Sequence, residues 1–308
     1  MAAEQASRVI QSGAFLRTEG KLIARSSCCA GLQYNRLMAT ALSYREFPPP
    51  EDLSGWIACF WQIQGASGDG FQHRVLPDGC ADLLFDLQGA RERAGTHGEI
   101  VGPMSRGQLI ELRADVDLLG IRLRPGAAGA VLGIAADQLL DIALPIQEAP
   151  TPLRIDPARL ASLPDLKARI ALLTAACRAR LAAFDDFDLT VRAALARWTT
   201  LSAQVGFPKV AILARDLGLS ERAFERRFVA QVGLTPVRFR RLVRLRSVLR
   251  CFSEGERDWA CMAVAAGFSD QSHLVRDFQE FIGLPPTRWA ATQVAPAGFL
   301  QDGRITAV

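Results

Sequence analysis

Residues 218–241 read GLSERAFERRFVAQVGLTPVRFRR, and residues 263–289 read AVAAGFSDQSHLVRDFQEFIGLPPTRW. The two stretches carry the same pattern of residues. Four positions of the first recur 50 residues later in the second: Arg226 as Arg276, Phe228 as Phe278, Gly233 as Gly283 and Pro236 as Pro286. A repeat in sequence implies a repeat in space. Two copies in register are hard to obtain from an ordinary helical bundle, so this repeat determines the fold that we predict for the C-terminal third.

Each copy predicts two helices separated by a tight turn. In the first copy, residues 210–217 place apolar side chains on one helical face, and Gly218 ends that helix. Ser220 is a good N-cap for the next helix, because its hydroxyl accepts a hydrogen bond from a free backbone N–H. That helix has an inner stripe of Phe224, Phe228 and Val232 and an outer face of Arg222, Glu225, Arg226 and Val229. The arrangement is a helix-turn-helix, and the second copy repeats it around Gly267.

Positive charge is concentrated between residues 209 and 250, which hold 11 Lys or Arg against 3 Asp or Glu. Much of it lies on a predicted helix of roughly 22 Å from Val237 to Cys251, which Thr235 caps and Pro236 begins. Such a block suits nucleic-acid phosphates, although charge runs are usually solvated helix faces. The residues that we expect to contact phosphate are Lys209, Ser220, Arg238, Arg240, Arg241 and Arg244.

The two repeated stretches resemble the halves of an AraC/XylS-type DNA-binding domain, over residues 190–293. The resemblance implies a sequence-specific transcriptional regulator whose partners are double-stranded DNA and, for an activator, RNA polymerase. It also implies that the outer face of each second helix reads bases. Carried over, the base-reading residues are Arg222, Glu225, Arg226, Gln271, Ser272, His273 and Arg276. The side-chain chemistry agrees. Arg can donate two hydrogen bonds to guanine, Gln can form two with adenine, and Glu can accept one from the amino group of cytosine.

The second unit departs from a simple DNA-binding pattern. Residues 251–293 hold 3 Arg against 6 acids, and the predicted reading helix carries only Arg276. We therefore expect the first unit to dominate binding and the second to tune the choice of site. The same feature keeps an alternative function open, namely a protein-interaction adaptor on a degenerate helix-turn-helix scaffold.

The N-terminal half reads as β-rich. Short apolar runs at 56–63, 81–87, 108–112 and 116–123 lie between Gly, Pro and Asp residues, and the order Pro77-Asp78-Gly79 predicts a turn. We therefore predict an α+β protein of two domains, with a β-rich, barrel or cupin-like N-terminal domain and an all-α C-terminal domain. The predicted segments are an extension over 1–43, a sensor or dimerisation domain over 44–150, a helical connector over 151–187, the double helix-turn-helix over 188–293 and a tail over 294–308.

The stretch HRVLPDGCADLLFDL and the pieces IVGPMSRG and GIRLRPGAAGAVLGI resemble an N-terminal domain found in such regulators, where it senses a small molecule or makes a homodimer. We expect a mostly apolar pocket with a few polar groups. The candidate ligand contacts are His73, Arg74, Asp82 and Arg122, with Asp78 and Arg124 as weaker candidates that fit a turn and a solvated strand face. Metal-dependent cupin enzymes present several histidines, and this region offers only His73 and His97 without an HxH spacing. We expect no catalytic residue, metal or cofactor, and hence no enzyme.

The composition limits the remaining classes. The chain has 308 residues, a formal net charge of +4 and 22% charged residues, which permits a packed core. No apolar run reaches the roughly 20 residues of a membrane helix, and the first 40 residues lack the features of a secretory signal. Seven cysteines without a CxxC pair are expected to be reduced and mostly buried. We expect a cytoplasmic protein that associates with the bacterial nucleoid as a DNA-binding regulator, without a membrane partner.

Overall fold

The computed structural model describes residues 43–66, 71–92, 97–112, 115–184, 188–200 and 207–292. The predicted extension over 1–43 and the tail over 294–308 lie, apart from Ser43, outside the described residues. The described part forms two regions with separate hydrophobic cores. One core takes its residues from 53–177 and the other from 191–289.

The N-terminal region is built on antiparallel strands. The strands are β1 (Ser43–Phe47), β2 (Ile57–Ala66), β3 (Phe71–Val75), β4 (Ala81–Asp86), β5 (Gly98–Val101), β6 (Gln108–Leu112), β7 (Asp115–Leu123) and β8 (Ala143–Pro145). Six of them form one sheet in the order β1-β2-β7-β4-β5-β8, and β3 pairs with β6 in a second sheet. The prediction of a β-rich domain followed by a helical domain is confirmed, with two sheets rather than a closed barrel among the described strands.

Strand β7 lies at the centre of the larger sheet and is buried on both faces. In sequence, the alternation of Leu119 and Ile121 with Gly120 and Arg122 is typical of a half-buried strand. One face packs into the main N-terminal core through Leu119 and Ile121. The other face meets a smaller cluster that includes Trp61 and Leu118. Gly120 permits this, because a Cβ at that position would stand 2.1 Å from Cε2 of Trp61.

Short helices cover the outer side of this domain. They are α1 (Leu87–Glu92), α2 (Ala128–Leu132), α3 (Pro157–Ser162) and α4 (Leu166–Ala182), and 3-10 turns lie at Glu51–Leu53 and Ala136–Leu139. The side chains of Leu160, Leu173 and Cys177 belong to the N-terminal core. The predicted connector over 151–187 is therefore corrected: its helices form a wall of that domain, because their apolar faces are buried against it.

The C-terminal region contains only helices among its described residues. They are α5 (Leu189–Thr200), α6 (Val210–Asp216), α7 (Glu221–Val232), α8 (Pro236–Ser253), α9 (Trp259–Ala265), α10 (Gln271–Ile282) and α11 (Pro286–Thr292). The hydroxyls of Ser220 and Thr235 accept the N-cap hydrogen bonds that were predicted for them. Asp270 is the N-cap of α10, and its side chain accepts from the backbone N–H of His273. Gly233 and Gly283 end α7 and α10 with positive φ, which glycine adopts without strain.

The repeat in sequence is also a repeat in packing. In the first unit, Trp198 lies against the rings of Phe224 and Phe228 with centroids 6.3 and 5.5 Å away. In the second unit, Phe278 lies 5.5 Å from Trp289 and 5.7 Å from Trp259. Aromatic residues bury a large apolar area each, so each unit contributes an aromatic cluster to the shared core of this domain.

A carboxyl group in the larger sheet has an unusual environment. Glu99 of β5 is largely buried next to Asp86, and burial together with the charge of Asp86 raises its pKa from 4.5 to about 7. Between these two pH values the folded protein holds a proton that the unfolded chain has lost, so the stability of the fold decreases as pH rises.

We expect Glu99→Gln to remove this pH dependence. The wild type should lose at most about 3 kcal/mol of unfolding free energy from Glu99 between pH 4.5 and 7, and the variant should not. Urea unfolding at pH 5 and pH 8 measures the difference. Parallel pH profiles of the two proteins would contradict the raised pKa.

We expect Gly120→Ala to destabilise the N-terminal domain by about 1–3 kcal/mol, because the added methyl overlaps the ring of Trp61. Gly129→Ala in α2 is the matched control, since its Cβ would meet nothing within 4 Å among the described residues. The control should be neutral or slightly stabilising, because Ala favours a helix over Gly. Thermal or chemical unfolding compares the two, and equal stability would show that Trp61 moves aside freely.

Candidate nucleic-acid interface

The outer face of α7 presents three of the predicted base-reading side chains. Arg222, Glu225 and Arg226 are all exposed. Their helix is held from the other side by Phe224 and Phe228, which are fully buried. The neighbouring Arg227 points elsewhere on the helix and lies 3.5 Å from the carboxylate of Asp188. The first unit thus offers two guanidinium groups and one carboxylate on a single free face.

The outer face of α10 presents a more polar and less charged set. Gln271, Ser272 and Arg276 are exposed, and Nε of Arg276 donates to the carbonyl oxygen of Ser272 at 3.4 Å. His273 differs from the exposed position that we predicted. Its Nδ1 lies 3.2 Å from Oγ of Ser269 and its Nε2 lies 3.5 Å from a guanidinium nitrogen of Arg244. Both ring nitrogens therefore face protein groups rather than the open side of the helix.

The arginines of α8 are mostly engaged inside the protein. Arg241 donates to the buried carboxylate of Asp277 at 2.7 Å and also binds Glu280. Arg244 is 5% exposed, lies 3.5 Å from Asp277 and stacks over the ring of Phe268. Because its side chain is buried against these groups, we do not retain Arg244 among the phosphate candidates.

Two further candidates on α8 also have partners within the chain. Arg238 donates to Glu280 at 2.7 Å and to the carbonyl oxygen of Ser105 at 2.8 Å. Arg240 donates to the carbonyl oxygen of Phe207, and burial lowers its pKa. We therefore do not retain Arg238, Arg240 or Arg241 in the proposed DNA surface. The remaining phosphate candidates lie at helix starts: Lys209 is exposed before α6, and Ser220 caps α7.

The acids of the second unit have structural roles that the sequence did not indicate. Asp277 and Glu280 pair with arginines of α8. Asp258 and Asp270 accept the N-cap hydrogen bonds of α9 and α10. The Glu256 carboxylate accepts backbone N–H groups of the following turn. Hence the negative charge of this unit serves its folding, and it does not cover the outer face of α10.

The N-terminal domain touches the far ends of both reading helices. The backbone N–H of Gly107 donates to the carbonyl oxygen of Phe281, and Nη1 of Arg74 donates to that of Ile282 at 2.9 Å. At the end of α7, a Cβ on Gly233 would stand 2.8 Å from the carbonyl oxygen of Ala136. The ends of α7 and α10 opposite to their exposed N-terminal turns are thus fixed against the same domain.

A cavity opens in the N-terminal domain between the two sheets. Its volume is about 120 Å³, and it is partly open to solvent. His73, Asp82 and Arg122, which the sequence predicted as ligand contacts, all line it. Arg74 does not line it, since its side chain reaches Ile282 instead. The other lining residues are Tyr44, Trp61, Ile63, Val75, Asp78, Cys80, Leu84, Val101, Gly102, Met104, Gln108, Ile110, Leu112 and Leu118.

The polar end of this cavity is an ion cluster around Arg122. Its Nε lies 3.3 Å from Oδ1 of Asp82 and 3.5 Å from Oδ2 of Asp78. Nε1 of Trp61 donates to the same Oδ1 of Asp82 at 2.8 Å. Burial raises the pKa of Asp82. Burial also works against the charge of Arg122, yet the carboxylates of Asp82 and Asp78 hold the pKa of this guanidinium well above its usual range.

Sequence reasoning missed how this cluster reaches the helical domain. Nη1 of Arg246 donates to the carbonyl oxygen of Asp78 at 3.1 Å and lies 3.8 Å from its carboxylate. The sequence offered Asp78 as a ligand candidate and favoured a turn role for it, and its Oδ1 accepts from the N–H of Cys80. Arg246 belongs to the basic run of α8, but a charge pattern along one helix does not reveal a partner about 170 residues away.

The described residues offer little for other chemistries. Within the described ranges, no three His, Cys, Asp or Glu side chains lie close enough together to hold a metal ion. No helix in the part of the chain that the structure describes is both long and apolar enough to cross a membrane. Burial raises the pKa of Cys59 and Cys177 to about 12, which keeps these thiols protonated and unreactive.

Two family models match the chain. Residues 213–292 match a helix-turn-helix domain, which covers both repeated units and confirms the prediction made for them. Residues 45–145 match a domain of unknown function (DUF6597), which covers the sheets and the cavity. No curated protein matches the chain.

Solved structures of transcriptional regulators are similar to the chain at low identity. A regulator with an AraC-type DNA-binding domain from Chromobacterium violaceum is 19% identical, with a TM-score of 0.31, over 36% of this chain and 100% of its own. ToxT from Vibrio cholerae is 10% identical, with a TM-score of 0.36, over 84% of this chain and 100% of its own. A ToxT structure bound to an unsaturated fatty acid is likewise 10% identical, with a TM-score of 0.36, over 85% and 100%. These scores are too low to assign a role to any residue.

We expect Asp277→Asn to destabilise the helical domain by about 3 kcal/mol or more, because it leaves the buried guanidinium of Arg244 without its carboxylate. Glu280→Gln is the matched control on the same helix. Its side chain is 38% exposed, so its loss should cost less than about 1 kcal/mol. Urea unfolding followed by tryptophan fluorescence measures both. A small and equal effect would mean that Arg241 and Arg244 find other partners.

Proposed function

We propose that this protein, whose residues 213–292 match a helix-turn-helix domain, is a sequence-specific DNA-binding transcriptional regulator. The observation that carries the proposal is a division between two kinds of charged side chain. Most arginines of α8 are occupied by partners within the chain, whereas Arg222, Arg226 and Arg276 stay exposed on the outer faces of α7 and α10. Side chains that read base edges must be free in this way.

The joining helix supports the reading of two grooves by one chain. Helix α8 has 18 residues, which corresponds to about 27 Å of length. Its buried side chains belong to the same core as those of α7 and α10, so the two units cannot rotate freely. Recognition helices about 34 Å apart enter successive major grooves on one side of the duplex. We propose this mode of binding for α7 and α10.

In this proposal the two units contribute unequally. Arg222 and Arg226 each can grip a guanine with two hydrogen bonds, and Glu225 can accept from cytosine. The second unit offers Gln271, Ser272 and Arg276, which are suited to choosing between bases more than to gaining affinity. Lys209 and Ser220 remain the proposed phosphate contacts of the first unit.

The adaptor alternative is less well supported. It rested on the negative charge of residues 251–293. Five of these six acids have partners within the chain: they cap helices, stabilise a turn or pair with arginines of α8. These carboxylates are therefore engaged in the fold of the unit. We therefore favour DNA over a protein as the partner of this face.

The N-terminal cavity is proposed as the site of a small-molecule effector, because its domain contacts α8 and the ends of both reading helices. We propose no catalytic activity for it. A regulator of this kind acts on the chromosome, so we place the protein in the cytoplasm at the bacterial nucleoid. A homodimer, and RNA polymerase as the partner of an activator, remain predictions.

We expect Arg226→Ala to weaken binding to an operator selected from a random duplex library by about 1–3 kcal/mol and to relax the preference for one base pair. Fluorescence anisotropy at several salt concentrations measures this, and wild-type affinity should fall steeply with salt because counterions are released. Arg276→Ala should cost less than Arg226→Ala. A larger loss for Arg276→Ala would overturn the dominance of the first unit.

Arg227→Ala is the matched control, since Arg227 lies on the same helix but pairs with Asp188. It should change operator affinity by less than about 0.5 kcal/mol. If the wild type selects no sequence and its affinity does not depend on salt, the regulator proposal fails and a protein partner should be sought.

A further inference from the structure

The turn at residues 77–79 belongs to the cavity and to the domain interface at once. The side chain of Asp78 lines the cavity, while its carbonyl oxygen accepts a hydrogen bond from Arg246 of α8. The next residue, Gly79, has a φ of +77°, and a Cβ there would stand 2.7 Å from Cε2 of Phe239 on the same helix. One residue, Asp78, thus has its side chain at the cavity and its carbonyl oxygen bonded to α8.

The polar end of the cavity holds more carboxylates than cations. Asp78 and Asp82 line it beside the guanidinium of Arg122, and Glu46, which is not a lining residue, lies 3.8 Å from the same guanidinium. Arg246 brings a second cation to within 3.8 Å of Asp78. Three carboxylates thus share two guanidinium groups. An anionic ligand would add to the excess of negative charge in a poorly solvated place, whereas a cationic ligand would balance it.

The rest of the cavity is apolar. Trp61, Leu84, Ile110 and Leu118 are among the side chains that form its walls. His73 adds no charge at neutral pH, because burial lowers the pKa of its imidazole. Walls of this kind accept an aliphatic or aromatic group.

We propose that the cavity binds an amphipathic organic cation, an amine or a guanidine carried on an aliphatic or aromatic body. Its charged group bonds to the carboxylates of Asp78 and Asp82, and its body fills the apolar part. The ligand competes with Arg246 for Asp78 and loosens the hold of the turn on α8. The cavity assignment is independent of DNA binding, and only this last effect rests on the proposed function.

Isothermal titration of the full chain without DNA tests the class of ligand. The probes are phenethylamine and phenethylguanidine, with phenethyl alcohol and hydrocinnamic acid as neutral and anionic counterparts, and the naphthyl analogue of each. We expect the cations to bind about ten- to hundredfold more tightly than the alcohol, since charge-assisted hydrogen bonds are strong, and the acid to bind most weakly. An acid that binds as tightly as its amine, or a panel in which no cation binds, overturns the proposal.

Variants then locate the charged group. Asp82→Asn keeps an oxygen for the hydrogen bond from Trp61 and should weaken amine binding about tenfold or more while leaving the alcohol unchanged. Glu111→Gln, an exposed carboxylate on β6 outside the cavity, is the matched control and should bind like the wild type. Glu46→Gln provides a second variant with a smaller loss, in case Asp82→Asn does not fold. Amine binding unchanged in both Asp82→Asn and Glu46→Gln would overturn the assignment.

Operator affinity with and without the amine tests the link to α8. The wild type should change its affinity by about fivefold or more on ligand binding. Arg246→Ala should still bind the amine but lose this change. If the amine binds and operator affinity stays constant, the link through Asp78 is wrong. If the amine binds while no operator is found, the proposed function fails and the cavity assignment stands.

Discussion

The buried carboxylate of Asp277 holds the two helix-turn-helix units together. It is 1% exposed on α10 and receives hydrogen bonds or close contacts from Arg241 and Arg244 of the joining helix. A buried carboxylate is tolerated only when it is paired, so α10 is stable in one position against α8. This contact also uses the guanidinium groups of Arg241 and Arg244 inside the protein, so in the proposed function the cations that meet DNA are those of the outer faces.

The helical domain could be predicted from sequence because its determinants are local. The cap at Ser220, the positive-φ glycine at Gly233 and the inner stripe through Phe224 each act within one or two turns of helix. The second copy of the pattern then gave the same local signals again. For the same reason the helical periodicity was enough to predict that Arg226 and Arg276 are exposed. The helix-turn-helix family model over residues 213–292 agrees with the predicted domain.

The other features depend on residues far apart in the chain. The second buried face of β7 requires Trp61 to lie over Gly120, and neither alternation nor composition indicates which strands become neighbours. The partners of Arg244 and Arg246 come from other elements of the fold. From sequence alone, the basic run of α8 was therefore predicted to be a surface that binds DNA phosphates. Charge patterns give the number of cations on a helix, but only the tertiary fold shows how many of them remain unoccupied.

The contacts of Gly107 and Arg74 give the N-terminal domain a role in the folding of its neighbour. The last carbonyl groups of any helix lack partners within the helix, and here those of Phe281 and Ile282 receive an N–H and a guanidinium from the other domain. The domain that carries the cavity thus serves as the C-terminal cap of the second reading helix. A helical domain cut away from it would exchange these hydrogen bonds for water, and α10 would fray from the end that lies next to Gly283.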